Sequence, residues 1–225
     1  MHDRTDHPLD LKHFRADLRR IAARDRWDIG LMGIGWMHLT YCLLYQSLYS
    51  PDTRRAGVFI ALWISEVVMA LVIMRRVAGR GWHRSTPLAG VIVRVWATFL
   101  ILTFSVASLN GLTGFTVDWF KLVWCTLGSF GFATMAWLLS YWFLVPAFQM
   151  YFTALLMFRF PAVAYLIHGT SWFLTLNGLG VILLRRRLRS EQGNQASDGS
   201  KTSAPKVVPD SNWRYAVGSL GEVSK

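Results

Sequence analysis

Residues 57–74 read GVFIALWISEVVMALVIM, eighteen positions in which Ser65 and Glu66 are the only strongly polar side chains. An unbroken apolar run of this length matches a bilayer span, which takes about 20 residues at the helical rise. Similar runs lie on either side, near 28–48, 88–109, 120–140 and 162–184, and between residues 56 and 184 the only acids are Glu66 and Asp118. The whole chain follows suit. Of its 225 residues 53% are hydrophobic and 16% charged, where a soluble domain carries about 25% charged residues. The fold class expected is all-α: a polytopic transmembrane helix bundle with no room left for a soluble catalytic domain.

Charge placement orients the bundle. The net charge is +11, and 15 of the 24 lysines and arginines fall in segments 1–27 and 185–225. Those two segments, and the loop with Arg75, Arg76, Arg80 and Arg84, belong on the cytoplasmic side by the positive-inside rule, which requires an even number of spans. Six spans with both termini cytoplasmic follow, in a cell membrane, plasma or inner. The sixth crossing must then come from 141–160, where Pro146 interrupts the run and Arg159 and Pro161 close it. A full tilted span or a re-entrant, broken helix both fit there, and a break would expose backbone groups able to bind ions.

Three regions result: 1–27, 28–184 and 185–225. The first contains no secretory core, so the N-terminus is expected to be retained. Its Leu11, Phe14, Leu18 and Ile21 form one helical stripe beside Lys12, Arg15, Arg19, Arg20, Arg24 and Arg26, with Asp10 as N-cap. That pattern suits a helix lying in the headgroup layer, held by anionic lipid. The last region turns polar from Ser190 and reads as a largely disordered basic tail, ending in a short aromatic stretch at 213–223. The basic residues flank hydrophobic runs instead of interleaving with aromatics on a soluble fold, which argues against nucleic acid as a partner.

Within the spans the polar residues are few. His38, Tyr41, Cys42, Tyr45, Gln46 and Tyr49 share one face of the first span, with Gly30, Gly33 and Gly35 before them. Tyr165, His168, Ser171, Trp172 and Thr175 do the same in the last span. Polar faces this deep are costly against lipid, so the two are expected to meet as one seam. Glu66 stands halfway along its span, too far from either surface for its side chain to reach water, and needs a partner; Arg94, two turns into the third span, is one candidate and otherwise snorkels to the surface. These residues, Glu66, Arg94, His38, Tyr41, Gln46, His168, Ser171 and Thr175, form the candidate intramembrane polar or ion site. Two histidines on different spans also admit a bis-imidazole haem, and His38, Cys42, Cys125 and His168 a copper or zinc site. Both cysteines lie inside apolar runs, which excludes a secreted disulfide framework.

In the fourth span Thr126, Ser129, Ala133, Ala136 and Ser140 make a seam of small residues suited to close packing, and Trp27, Trp82 and Trp119 near span ends read as interfacial anchors. No metalloprotease helix, phosphate loop, nucleophile elbow or intramembrane carboxylate pair is present, which disfavours an enzyme. The function expected is an accessory or structural subunit of a membrane assembly, or a homo-oligomer. A small ion, proton or solute transporter using Glu66 and the two stripes is one alternative, and a haem- or metal-binding redox subunit another.

Overall fold

The computed structural model describes residues 17, 20–21, 25–48, 56–112 and 117–202. Leu11, Phe14, Leu18 and the stretch 213–223 lie outside them. Among the described residues the chain is helical, with no strand. The helices are α1 (Trp27–Leu48), α2 (Ala56–Val77), α3 (Pro87–Leu112), α4 (Val117–Leu138), α5 (Leu144–Arg159) and α6 (Ala164–Thr202), with single 3-10 turns at Trp82–Arg84, Tyr141–Phe143 and Pro161–Val163. The chain divides into two units, residues 1–190 and 191–225. Of the second, the described part is the end of α6.

The breaks between helices have local causes. Between α2 and α3, Gly79 and Gly81 take φ of 80° and 81°, a left-handed conformation that only glycine adopts without strain. Thr86 then accepts the Ala89 N–H at 3.1 Å, and Pro87 occupies the first helical position, where its missing N–H costs nothing. Pro146 sits in the first turn of α5, among amides that have no intrahelical partner. It therefore starts a helix instead of breaking one, and Tyr141–Arg159 is continuous enough to be one of the apolar spans.

Four helical stretches are long and apolar enough to cross a membrane: Gly57–Val77, Pro87–Asn110, Tyr141–Arg159 and Pro161–Arg189. Four apolar helices fit a membrane protein and a membrane location. The helices α1 and α4 are also 22 residues long, but α1 carries Asp28, His38 and Gln46 and α4 carries Asp118 and Lys121, which lowers their mean hydropathy.

The core runs between helices at three levels. Cys125, Phe132 and Met135 of α4 meet Met150 and Met157 of α5 and Trp172 of α6. Ser129 Oγ donates to the Ala147 carbonyl at 2.8 Å, and Ala136 is buried, so this part of the small-residue seam packs on α5. Thr126 of the same series is exposed and bonds only its own helix. Cys42 and Tyr45 of α1 join Phe59 and Tyr165 at a second level. Trp27, Met74, Leu88, Ala89 and Leu183 form a third, and Ile21 packs with them.

This third cluster places two of the residues singled out from the sequence. Ile21 is 1% exposed and packs on the protein's own helices. Trp27 is buried and meets Trp82 edge-on at 5.6 Å. Of the tail, residues 203–225 lie outside the described residues. The helix α6 continues from the membrane-length segment to Thr202, because Leu, Arg, Glu, Gln and Ala favour helix and no proline intervenes before Pro205.

Candidate functional site

The site forms where α1 crosses α2 and α6. Glycines allow the approach. A Cβ on Gly169 would lie 2.5 Å from Cys42 Cβ, one on Gly35 would lie 2.6 Å from Asn177 Nδ2, and one on Gly180 would lie 2.5 Å from Met32 Cγ. Three side chains' worth of space is thereby given up so that the backbones of α1 and α6 can touch. At one end of the crossing Asp28, 0% exposed, pairs with Arg187 at 3.0 Å.

At its middle lies Glu66, buried at 6% exposure. One carboxyl oxygen is hydrogen-bonded by His38 Nδ1, and Tyr45 donates its hydroxyl to the other at 3.1 Å. Helical periodicity makes this possible, since His38 and Tyr45 are seven residues apart and so stand on one face, two turns apart. The thiol of Cys42, one turn from His38, lies 3.5 Å from Nε2. With Nδ1 carrying the proton given to the carboxylate, Nε2 is the acceptor for that thiol. Both nitrogens of His38 and both oxygens of Glu66 are thus engaged, as buried polar groups require.

His168 is different. It is 1% exposed, its ring lies 5.3 Å from that of His38, and Trp124 and Trp172 pack against it at 5.1 and 6.3 Å. Neither of its ring nitrogens has a hydrogen-bond partner among the described residues, and neither has Trp172 Nε1. An imidazole always presents one N–H or more to its surroundings, so this pocket holds unused hydrogen-bonding capacity beside a satisfied pair. Beyond Tyr45 the aromatic rings of Phe59 and Tyr165 stack at 5.9 and 5.4 Å. A cavity of about 60 Å³ opens there, lined by Tyr45, Phe59, Trp63, Phe104, Trp124 and Tyr165 among others, which is room enough for water. Lys121, 3% exposed, holds its ammonium 4.8 Å from the centre of the Tyr165 ring, a cation-π distance.

Of the residues singled out from the sequence, His38, Cys42, Tyr45, Glu66, Tyr165, His168 and Trp172 come together. Tyr41, Gln46, Ser171 and Thr175 bond elsewhere, and Arg94 does not join them. Tyr41 accepts from Ser65 Oγ at 3.0 Å, and Gln46 donates to the Ala162 carbonyl at 2.6 Å. Ser171 belongs to a separate polar knot between α5 and α6: Gln149 Nε2 donates to its carbonyl at 2.8 Å, Thr153 Oγ1 lies 2.7 Å from its hydroxyl, and Thr175 bonds its carbonyl at 3.0 Å. Arg94 is exposed and is not among the partners of Glu66, so the Glu66 to Arg94 pair is replaced by one with His38. Geometry decides this: Glu66 faces α1, whereas Arg94 lines a groove shared with α4.

The cofactor arrangements do not fit. A bis-imidazole haem needs a porphyrin-wide slot between two rings that face one iron, and here the rings touch edge to face with 66° between planes. Cys125 spends its thiol on the Met150 carbonyl, to which it donates at 3.2 Å. Among the described residues no three His, Cys, Asp or Glu side chains are grouped to hold a metal ion. Lys121, Trp124 and Gln149 were not anticipated. Lys121 carried the signal that identified Glu66, a lone charge inside an apolar stretch, while Trp124 gave none beyond its aromatic character. No known protein family, no curated protein and no solved structure matches this chain.

Proposed function

We propose that the protein is a six-span integral membrane protein with both ends cytoplasmic, in the plasma or inner membrane, acting as a small transporter or channel for protons or a proton-linked cation. The observation that carries this reading is the buried His38 to Glu66 contact beside an imidazole with open nitrogens, His168. An imidazole and a carboxylate in direct hydrogen bond hold one exchangeable proton between them. Tyr45 ties that pair to the aromatic cavity, and the contact of His38 with His168 supplies a second imidazole next in line. Intramembrane ionisable groups are costly and mark proton or ion paths by default. Six crossings are supported by the lengths of α1 and α4, 22 residues each and at least as long as the apolar span Gly57–Val77, and anionic lipid is the natural partner of the basic flanks.

The test is proton flux. Protein reconstituted in liposomes should collapse an imposed pH gradient under a potassium diffusion potential, and Glu66→Gln, which keeps size and hydrogen bonding but cannot ionise, should lower the rate about tenfold or more while folding normally. Wild-type liposomes with no flux of protons or common cations would overturn the transport reading. The second reading is an accessory or structural subunit, alone as a homo-oligomer or with other membrane subunits. It is supported by the full engagement of Glu66, which in that case serves only to lock α1 to α2.

A further inference from the structure

A groove of about 290 Å³ runs along the outer surface of α3 and α4, lined by Arg94, Val95, Thr98, Leu102, Leu127 and Phe130 among others. Its walls are apolar in effect, because Thr98 and Thr134 spend their hydroxyls on their own helices, bonding the Arg94 and Phe130 carbonyls at 3.0 and 2.9 Å. Phe130 is 60% exposed and Leu102 37%, so the groove faces whatever surrounds the bundle. Only residues 113–116 join the two helices, which makes them antiparallel. Arg94 and Thr134 therefore stand at one end and Leu102 and Leu127 at the other.

Arg94 is the eighth residue of α3 and is exposed, with no ion pair among the described residues. It lies about 10 Å along the helix from Pro87, on the side of the bundle that carries Arg75, Arg76, Arg80 and Arg84. Its side chain tilts toward the N-terminal, basic end of α3, so a snorkelling guanidinium there would meet lipid headgroups; it calls for an anionic partner with a planar pair of oxygens, and a phosphate diester meets it bidentately. The groove continues inward for two turns of apolar side chains, the length of half an acyl chain. Charge at the mouth and hydrocarbon within describe one molecule.

We propose that this groove binds one anionic phospholipid, its phosphate on Arg94 and an acyl chain along Thr98, Leu102, Leu127 and Phe130. The site differs from general attraction to the basic flanks in having a single stoichiometry and an apolar half. It does not depend on the proton reading.

Native mass spectrometry of the full chain in mild detergent, with added dioleoyl phosphatidylglycerol or dioleoyl phosphatidylcholine, tests it. The wild type should retain one phosphatidylglycerol in clear excess over phosphatidylcholine, and millimolar inorganic phosphate should not displace it. Arg94→Gln should lower that occupancy about tenfold, and Leu127→Trp, which fills the apolar half, should lower it with Arg94 intact. Arg80→Gln is the control and should leave it unchanged. Equal retention of the two lipids, an unaffected Arg94→Gln protein, or an equal loss in Arg80→Gln would each overturn the proposal.

Discussion

Glu66 sets the chemistry at the scale of single residues. Its partner Tyr45 offers a clean substitution, because Tyr45→Phe removes one hydroxyl and leaves the stacked rings in place. The loss should cost about 1–3 kcal/mol, since one buried carboxyl oxygen is left without its donor; Tyr41→Phe, whose hydroxyl meets a serine at the edge, should cost far less. Thermal unfolding in detergent compares the two. His168 predicts the opposite pattern. A buried imidazole with no hydrogen bond is a liability to the fold, so His168→Phe should leave the Tm unchanged or raise it while lowering proton flux. A fall in Tm with flux retained would make His168 structural. Glu66 and His38 were each legible as misfits in an apolar context, but their pairing was not. Helical spacing shows which residues share a face and says nothing about which helix that face meets. Arg94 was a candidate partner because consecutive antiparallel spans often touch; it lies on a face of α3 turned to α4.

At the scale of elements, the crossing of α1 and α6 is held open by nothing and kept close by glycine. Gly169→Ala adds a methyl at 2.5 Å from Cys42 Cβ, where both partners are backbone-attached atoms that cannot swing aside. Overpacking of this kind costs about 1–3 kcal/mol and should lower the Tm and disturb the His38 contact together. Gly178→Ala on the same helix meets no atom within 4 Å and should be neutral or stabilising by up to about 1 kcal/mol. The Asp28 to Arg187 pair closes the end of the same crossing. Arg187→Gln leaves an unpaired buried carboxylate and should destabilise by about 3–5 kcal/mol, whereas Arg186→Gln, at an exposed position, should be silent in the same melt. The seam itself was readable in advance, since two polar stripes in lipid have to find each other. Its closeness was readable only in part: Gly30, Gly33 and Gly35 drew attention, but the glycine that meets Cys42 lies on α6 and has no unusual sequence context.

For the whole molecule, the distribution of apolar length and basic charge was enough to give an all-helical chain with membrane-length segments, because both follow from the thickness of a bilayer. The number of crossings is less directly written. The helices α1 and α4 carry His38, Gln46 and Lys121 within 22 residues each, and these polar side chains weaken their span signal, whereas Glu66 and His168 lie in helices that keep theirs. Reporter fusions after Arg189 and within 49–55 should give cytoplasmic and external signals respectively, as six spans require. The central claim is that Glu66 and His38 share a proton that can be exchanged. Infrared difference spectroscopy on reconstituted protein reads this directly through the carbonyl stretch of a protonated carboxyl group as external pH is stepped. The account predicts a pH-dependent carboxyl band that vanishes in Glu66→Gln and shifts in His38→Gln. A spectrum in which no band assigned to Glu66 changes with pH would contradict it and leave the pair a fixed packing contact.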